Sequence, residues 1–213
     1  MRISENKASF LRPESPTTVP AAIPTSAPPP IPQAWRAEIG EVLLTRTQIR
    51  SRVRELGAAI SRDFKGRELT LVALLNGCVV FLADLIRQIP LPLRLDFIGV
   101  STYRAGTAAG ELILTKQLQI DVLGRDVLLV DDILDTGNTL ENALASLKHL
   151  GAASVKICVL LDKPDRRKRP IRADYVGFTI PDAFVVGYGL DFAERFRNLP
   201  FIGILKTPHK HNP

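Results

Sequence analysis

The sequence predicts an α/β protein: a central, mostly parallel sheet flanked by helices, with a small C-terminal cap beside it and a disordered Pro-rich N-terminal extension. Three observations carry this. Strand-length apolar runs alternate with apolar stripes of helical period from Thr45 to Leu161. Within that alternation, Val127-Leu128-Leu129-Val130 ends in Asp131-Asp132, a third carboxylate at Asp135, and a Thr136-Gly137-Asn138-Thr139 turn that opens a helix. After Asp174 the apolar runs become short and irregular, which suits a cap rather than another crossover.

Residues 1–33 carry prolines at 13, 16, 20, 24, 28, 29, 30 and 32 with little apolar patterning. Such a segment buries too little surface to offset its ordering entropy, so it reads as disordered or polyproline-II-like. Arg2, Lys7 and Arg12 would suit a transit peptide, whereas Glu5, Glu14 and the prolines would not. Partner docking through Pro28-Pro29-Pro30 is a further reading. The folded domain is expected over 34–206, followed by a flexible tail at 207–213 that carries His209 and His211.

The first helix begins at Thr45, which has capping-box spacing with Gln48. Ile49, Val53, Leu56 and Ile60 give it a buried stripe between Arg50, Arg52 and Arg54. A strand over Leu69–Leu75 breaks at Asn76-Gly77, and Val79, Leu82, Leu85, Ile86 and Ile89 mark the next helix. Pro90 and Pro92 end it, and Leu93–Val100 supplies a strand. Between Ser101 and Gly110 the apolar pattern stops, giving either a solvated connection or a lid that carries hydroxyls over a site. The central crossover runs from strand 126–130 through helix 139–150 to strand 155–161, with Gly151 as the C′ residue and a right-handed connection. His149 sits on the exposed side of that helix. The run from Asp162 to Pro170 has prolines and charges that exclude regular structure; Arg166, Arg167, Lys168 and Arg169 suit a solvated loop or a nucleic-acid patch. Tyr175–Phe178, Phe184–Gly187 and Phe201–Leu205 are the strands of the cap.

At 213 residues, with 46% hydrophobic and 23% charged content, the chain suits one soluble domain with one core. A net charge of +6 biases it toward anionic ligands without naming one. Cys78 and Cys158 lie in apolar surroundings, as small reduced hydrophobes in a cytoplasmic protein do. No cysteine cluster offers a metal site, and no apolar run approaches the length needed to span a bilayer.

The 127–140 stretch selects the chemistry. In an open parallel sheet, ligands gather beyond the carboxyl ends of the strands, where a helix N-terminus offers backbone N–H groups to an anion. The turn has one glycine and no following lysine, which disfavours a Walker loop and a dinucleotide fingerprint. Asp131 and Asp132 could ligate magnesium directly, as in a phosphatase or receiver domain. The hydroxyls and amides of Thr136–Thr139 suit a terminal monophosphate, and an adjacent acidic pair accepts hydrogen bonds from a vicinal diol. A ribose 5-phosphate satisfies both.

The same stretch resembles the phosphoribosyl-pyrophosphate motif of type I phosphoribosyltransferases: apolar residues, two acidic residues, two apolar residues, then Asp-Thr-Gly-x-Thr. The resemblance spans roughly residues 40 to 206. Lys163 and the block Val176–Asp191 narrow it to the hypoxanthine-guanine branch.

That resemblance implies transfer of a phosphoribosyl group to a 6-oxopurine with release of pyrophosphate, and magnesium as the cofactor. It assigns Asp131 and Asp132 to the ribose hydroxyls and Thr136, Gly137, Asn138 and Thr139 to the 5-phosphate. Asp135 faces the purine N7 as general base. Lys163 donates to the purine O6, Phe184 stacks on the base, and Val185 meets its exocyclic edge through the backbone, with Asp191 nearby. Asp191 also binds magnesium, Arg197 contacts pyrophosphate, and Asn76 and Gly77 form the pyrophosphate loop. Asn76 is neutral where many members carry Lys or Arg. Thr102 and Tyr103 correspond to the functional pair of the lid. The resemblance further implies a homodimer or homotetramer in the cytoplasm, with no nucleic-acid or membrane partner. A regulator that senses phosphoribosyl pyrophosphate and binds RNA through its basic loops is the rival from another class.

Overall fold

The computed structural model describes residues 18–22, 31–102 and 112–206. The elements of the domain are β1 (Ile39–Leu44), α1 (Arg46–Asp63), β2 (Leu69–Leu75), α2 (Val79–Ile86), β3 (Leu93–Thr102) and β4 (Leu112–Lys116), then β5 (Asp126–Leu134), α3 (Asn138–His149), β6 (Ser154–Asp162), β7 (Tyr175–Thr179), β8 (Val185–Val186) and β9 (Ile202–Leu205). The main sheet has the order β4-β3-β2-β5-β6-β7, with β4 antiparallel to β3 and all other pairs parallel. β1, β9 and β8 form a separate antiparallel sheet.

The two faces of the main sheet are covered by different helices, as a parallel sheet requires. Side chains alternate along each strand: Leu71, Ala73, Leu128 and Val130 share a core with α1 and α2, while Val72, Leu74, Val127 and Leu129 share one with α3. Thr45 caps α1 as its spacing predicts, with Thr45 Oγ1 accepting from the Gln48 N–H and Gln48 Oε1 accepting from the Thr45 N–H. Gly151, at φ +81°, follows the last turn of α3 as the predicted C′ residue.

Five expectations are corrected. Tyr175–Thr179 belongs not to the cap but to the main sheet, paired in parallel with β6 from Cys158↔Tyr175 to Asp162↔Thr179. The crossover that permits this, residues 163–174, has no helix beyond one 3-10 turn at Pro164–Arg166, so helical periodicity gave no sign of it. That turn also corrects the reading of the basic run as wholly irregular. β1 and β4 went unread as strands, and the cap sheet accordingly draws β1 from the start of the domain. In α2 the buried face holds Phe81, Leu82 and Leu85, whereas Val79 is 45% exposed. Arg52 is buried in α1 rather than flanking the stripe. Most of the Pro-rich segment and the tail 207–213 lie outside the described residues, but Thr18–Ala22 lies along β7.

Candidate active site

β5 is one of the two middle strands of the main sheet and outruns the expected boundary: its ladder with β6 continues through Asp131↔Val159 to Leu134↔Asp162. The acidic pair is therefore fixed within a strand rather than on a loop. Gly137 then caps α3 in the left-handed region at φ +89°. A Cβ there would meet Ile171 Cγ2 at 2.6 Å, so both the backbone conformation and the space call for glycine. At the start of α3 the Asn138 N–H donates to Thr136 Oγ1 at 3.5 Å; the N-terminal N–H groups of a helix have no partner within the helix and suit an anion. A cavity of about 300 Å³ lies at this junction, lined by residues 131–137 together with Gly77 and Thr139. Seven predicted residues thus converge: Gly77, Asp131, Asp132, Asp135, Thr136, Gly137 and Thr139. Asn138 does not line it; its side-chain Oδ1 accepts from Arg169 Nε at 2.8 Å.

The acidic pair is electrostatically loaded. Asp131 is buried, and its carboxyl is pushed well above the usual range, first by desolvation and then by the charge of Asp132. Burial also raises Asp132, against hydrogen bonds from its neighbours and the field of Arg197. A carboxyl whose pKa is higher folded than unfolded favours the fold below its unfolded pKa, and that contribution is lost as pH rises through the folded value. Asp131→Asn is therefore expected to melt at a higher temperature than the wild type at pH 7. The advantage should shrink as the pH falls through the raised folded value and vanish only below the ordinary carboxyl value of 3.8, where the group is protonated in both states; equal melting temperatures at every pH would contradict the burial argument.

Lys163 follows β6, and its backbone N–H donates to Leu134 O at 3.0 Å, which sets it beside Asp135. Its ammonium is buried and donates to Ala183 O at 2.6 Å. Desolvation lowers its pKa, with Asp135 and Asp182 opposing. The ammonium thus joins the end of β6 to the turn that carries Phe184 and Val185. Phe184 is 43% exposed, with one edge packed on Phe192 at 5.4 Å between centroids. Its apolar character alone would have placed it in the core; the structure leaves it partly exposed next to Ala183, whose carbonyl accepts from Lys163. Val185 is buried in β8.

Gly77 is forced by the acidic pair, because a Cβ there would lie 1.8 Å from Asp132 Oδ2. The Leu75–Asn76 peptide before it is cis, which the sequence could not disclose. Asn76 is exposed and outside the cavity lining. Arg197 Nη2 pairs with Asp191 Oδ1 and with Glu194 Oε2, each at 2.9 Å, and Nη1 donates to Gly189 O. Thr102 ends β3; Tyr103, with the rest of the expected lid to Gly110, lies outside the described residues.

Sequence reasoning missed the basic run after Lys163. Arg166 Nε donates to Asp135 Oδ1 at 3.1 Å, and its Nη1 lies 3.6 Å from Asp182. Arg167 donates to the carbonyls of Leu134, Asp135 and Ile171 and to the Asp162 carboxylate. Arg169 pairs with Glu141 at 3.3 Å. Arg166 and Arg169 reach the turn after β5 and its helix while their side chains stay 46% and 54% exposed, as a solvated loop predicts; Arg167 is the one of the three that is largely covered. Their place after a strand parallel to β5, at the same end of the sheet as three carboxylates, was the available signal.

The sequence matches the phosphoribosyl transferase domain family over residues 42–193. It is 46% identical over 170 residues to the hypoxanthine-guanine phosphoribosyltransferase of Bacillus subtilis (strain 168), covering 79% of this chain and 94% of that one. A bifunctional protein TilS/HprT of Listeria innocua is 46% identical over 175 residues, and this chain spans 27% of its length. A crystal structure of a hypoxanthine phosphoribosyltransferase from Staphylococcus aureus superposes with a TM-score of 0.78 at 44% identity, covering 83% of this chain and 97% of that one. Fold, site and sequence agree, and the chain belongs to the type I phosphoribosyltransferase family, in its hypoxanthine-guanine branch.

Proposed function

We propose that this protein is a purine-salvage enzyme that transfers ribose 5-phosphate from phosphoribosyl pyrophosphate to hypoxanthine or guanine, giving IMP or GMP and pyrophosphate. The observation that carries this reading is the meeting of three chemistries at one strand end. Asp131 and Asp132 offer acceptors for a ribose diol, the turn 136–139 offers donors for a monophosphate, and Asp135 with Lys163 offers an acceptor and a donor for a base. In the reaction the bond from ribose C1 to the pyrophosphate oxygen breaks and the bond to a purine ring nitrogen forms. Positive charge develops on the ribose, near the acidic pair, and Asp135 takes or shares the N7 proton. Lys163 donates to O6, Phe184 stacks, and Val185 presents its backbone to the exocyclic edge. Gly77, Arg197 and the backbone at Asn76 receive the pyrophosphate; Thr102 and Tyr103 belong to a closing lid.

Among the described residues no group of three His, Cys, Asp or Glu could hold a metal ion. The half-buried carboxylate of Asp191 fits a magnesium ion that arrives with the substrate, since magnesium is usually bound by one or two carboxylates plus substrate phosphates. The ion would neutralise charge on the leaving pyrophosphate.

Both cysteines are buried and free, in keeping with a cytoplasmic setting; no described helix is long and apolar enough to cross a membrane. The domain boundaries at 34 and 206 and a homodimeric or homotetrameric assembly complete the reading. The decisive assay supplies magnesium, phosphoribosyl pyrophosphate and each nucleobase in turn to the purified protein. Turnover with hypoxanthine or guanine and little with adenine is expected; activity with adenine alone would overturn the assignment.

A further inference from the structure

Outside the site, one arginine is placed where a helix surface has no need of one. Arg52 is 8% exposed, and its guanidinium forks over three backbone carbonyls: Nε donates to Gly177 O at 2.9 Å, and Nη2 donates to Val176 O at 2.8 Å and also to Val19 O. Nη1 pairs with Glu55 at 2.7 Å. Two of the carbonyls belong to β7, the last strand of the main sheet, and the third belongs to the Pro-rich segment.

That segment reads β7 as a strand would. The Thr18 N–H donates to Asp174 O at 3.2 Å, the Val176 N–H donates to Thr18 Oγ1 at 2.9 Å, and the Ala21 N–H donates to Gly177 O at 3.0 Å. Ala21 bridges Phe178 in parallel and packs against the core that α1 shares with the sheet. An edge strand without such cover presents unpaired N–H and C=O groups that can template another chain. Proline tolerates an edge position, because it lacks only a donor that the sheet does not use there; Pro20 sits between the two pairing residues.

We propose that the outer edge of β7, backed by Arg52, is a strand-addition site whose occupant is the chain's own segment Thr18–Ala22. The segment acts as a strap that makes the main sheet end in a covered edge. It lies outside the stretch matched to the family, residues 42–193. β7 runs directly into the turn that holds Ala183 and Phe184, and the strap thus braces the strand on the side that β6 does not reach.

The test is amide hydrogen exchange on the full chain, comparing wild type with Ala21→Pro, which deletes the N–H given to Gly177, and Thr18→Val, which deletes the acceptor for Val176. Neither residue is in the active site, so melting temperature and turnover serve as folding controls. Loss of one net hydrogen bond of about 1 kcal/mol predicts roughly fivefold faster exchange at the Val176 amide in each variant, with the amides of 131–134 unchanged. Equal Val176 exchange in all three proteins would overturn the proposal. Protection of Val176 that rises with protein concentration would also overturn it, since the edge would then be covered by a second copy.

Discussion

Asp135→Asn is expected to lower kcat by about 10²–10⁴, the range of a lost acid–base group, while phosphoribosyl pyrophosphate binds with unchanged affinity. The substitution keeps the shape of the side chain and an oxygen that can accept from Arg166, now 3.1 Å from Asp135 Oδ1. It leaves the acidic pair and the helix N-terminus untouched. What it removes is a carboxylate able to take a proton at the mouth of the cavity. Calorimetric titration with phosphoribosyl pyrophosphate checks the binding, and single-turnover kinetics check the transfer. Unchanged turnover would move the proton to another group.

Lys163→Met is expected to lower kcat/KM for hypoxanthine and guanine by about 10–10²-fold, the worth of a charge-assisted hydrogen bond at a partly dry site. Methionine keeps the length and fills the buried stem, so the loss isolates the donor. Discrimination against adenine should narrow by a similar factor, because a buried donor facing an amine is left unpaired in the wild type. Equal losses on 6-oxo and 6-amino purines would show that Lys163 merely holds the Ala183 turn, to which its ammonium now donates at 2.6 Å. Comparing kcat/KM for the three bases in one preparation decides between the two.

The alternation of strands and helices, the cap of α1, the end of α3 and the acidic pair were legible because each is set by neighbours within a few residues. Period, capping chemistry and glycine placement are local properties. β7 was misplaced for the opposite reason: a five-residue strand is recruited to a sheet by its partner, and the partner here is reached through a loop with no periodic signature. β1 likewise makes sense only against β9, more than a hundred residues away.

By itself, the sequence determined the strand, turn and helix-start half of the site, since Asp131 to Thr139 is one continuous stretch whose geometry is dictated locally. The tertiary structure alone decided the rest. It buried Lys163 beside Asp135, left Phe184 partly exposed, folded Arg166 and Arg167 onto the turn, and laid Thr18–Ala22 on β7. Each of these depends on which distant segments share a strand end or an edge. Hydrophobicity cannot specify that for a single residue, because the same apolar or charged side chain serves core, ligand or solvent according to what the fold brings against it.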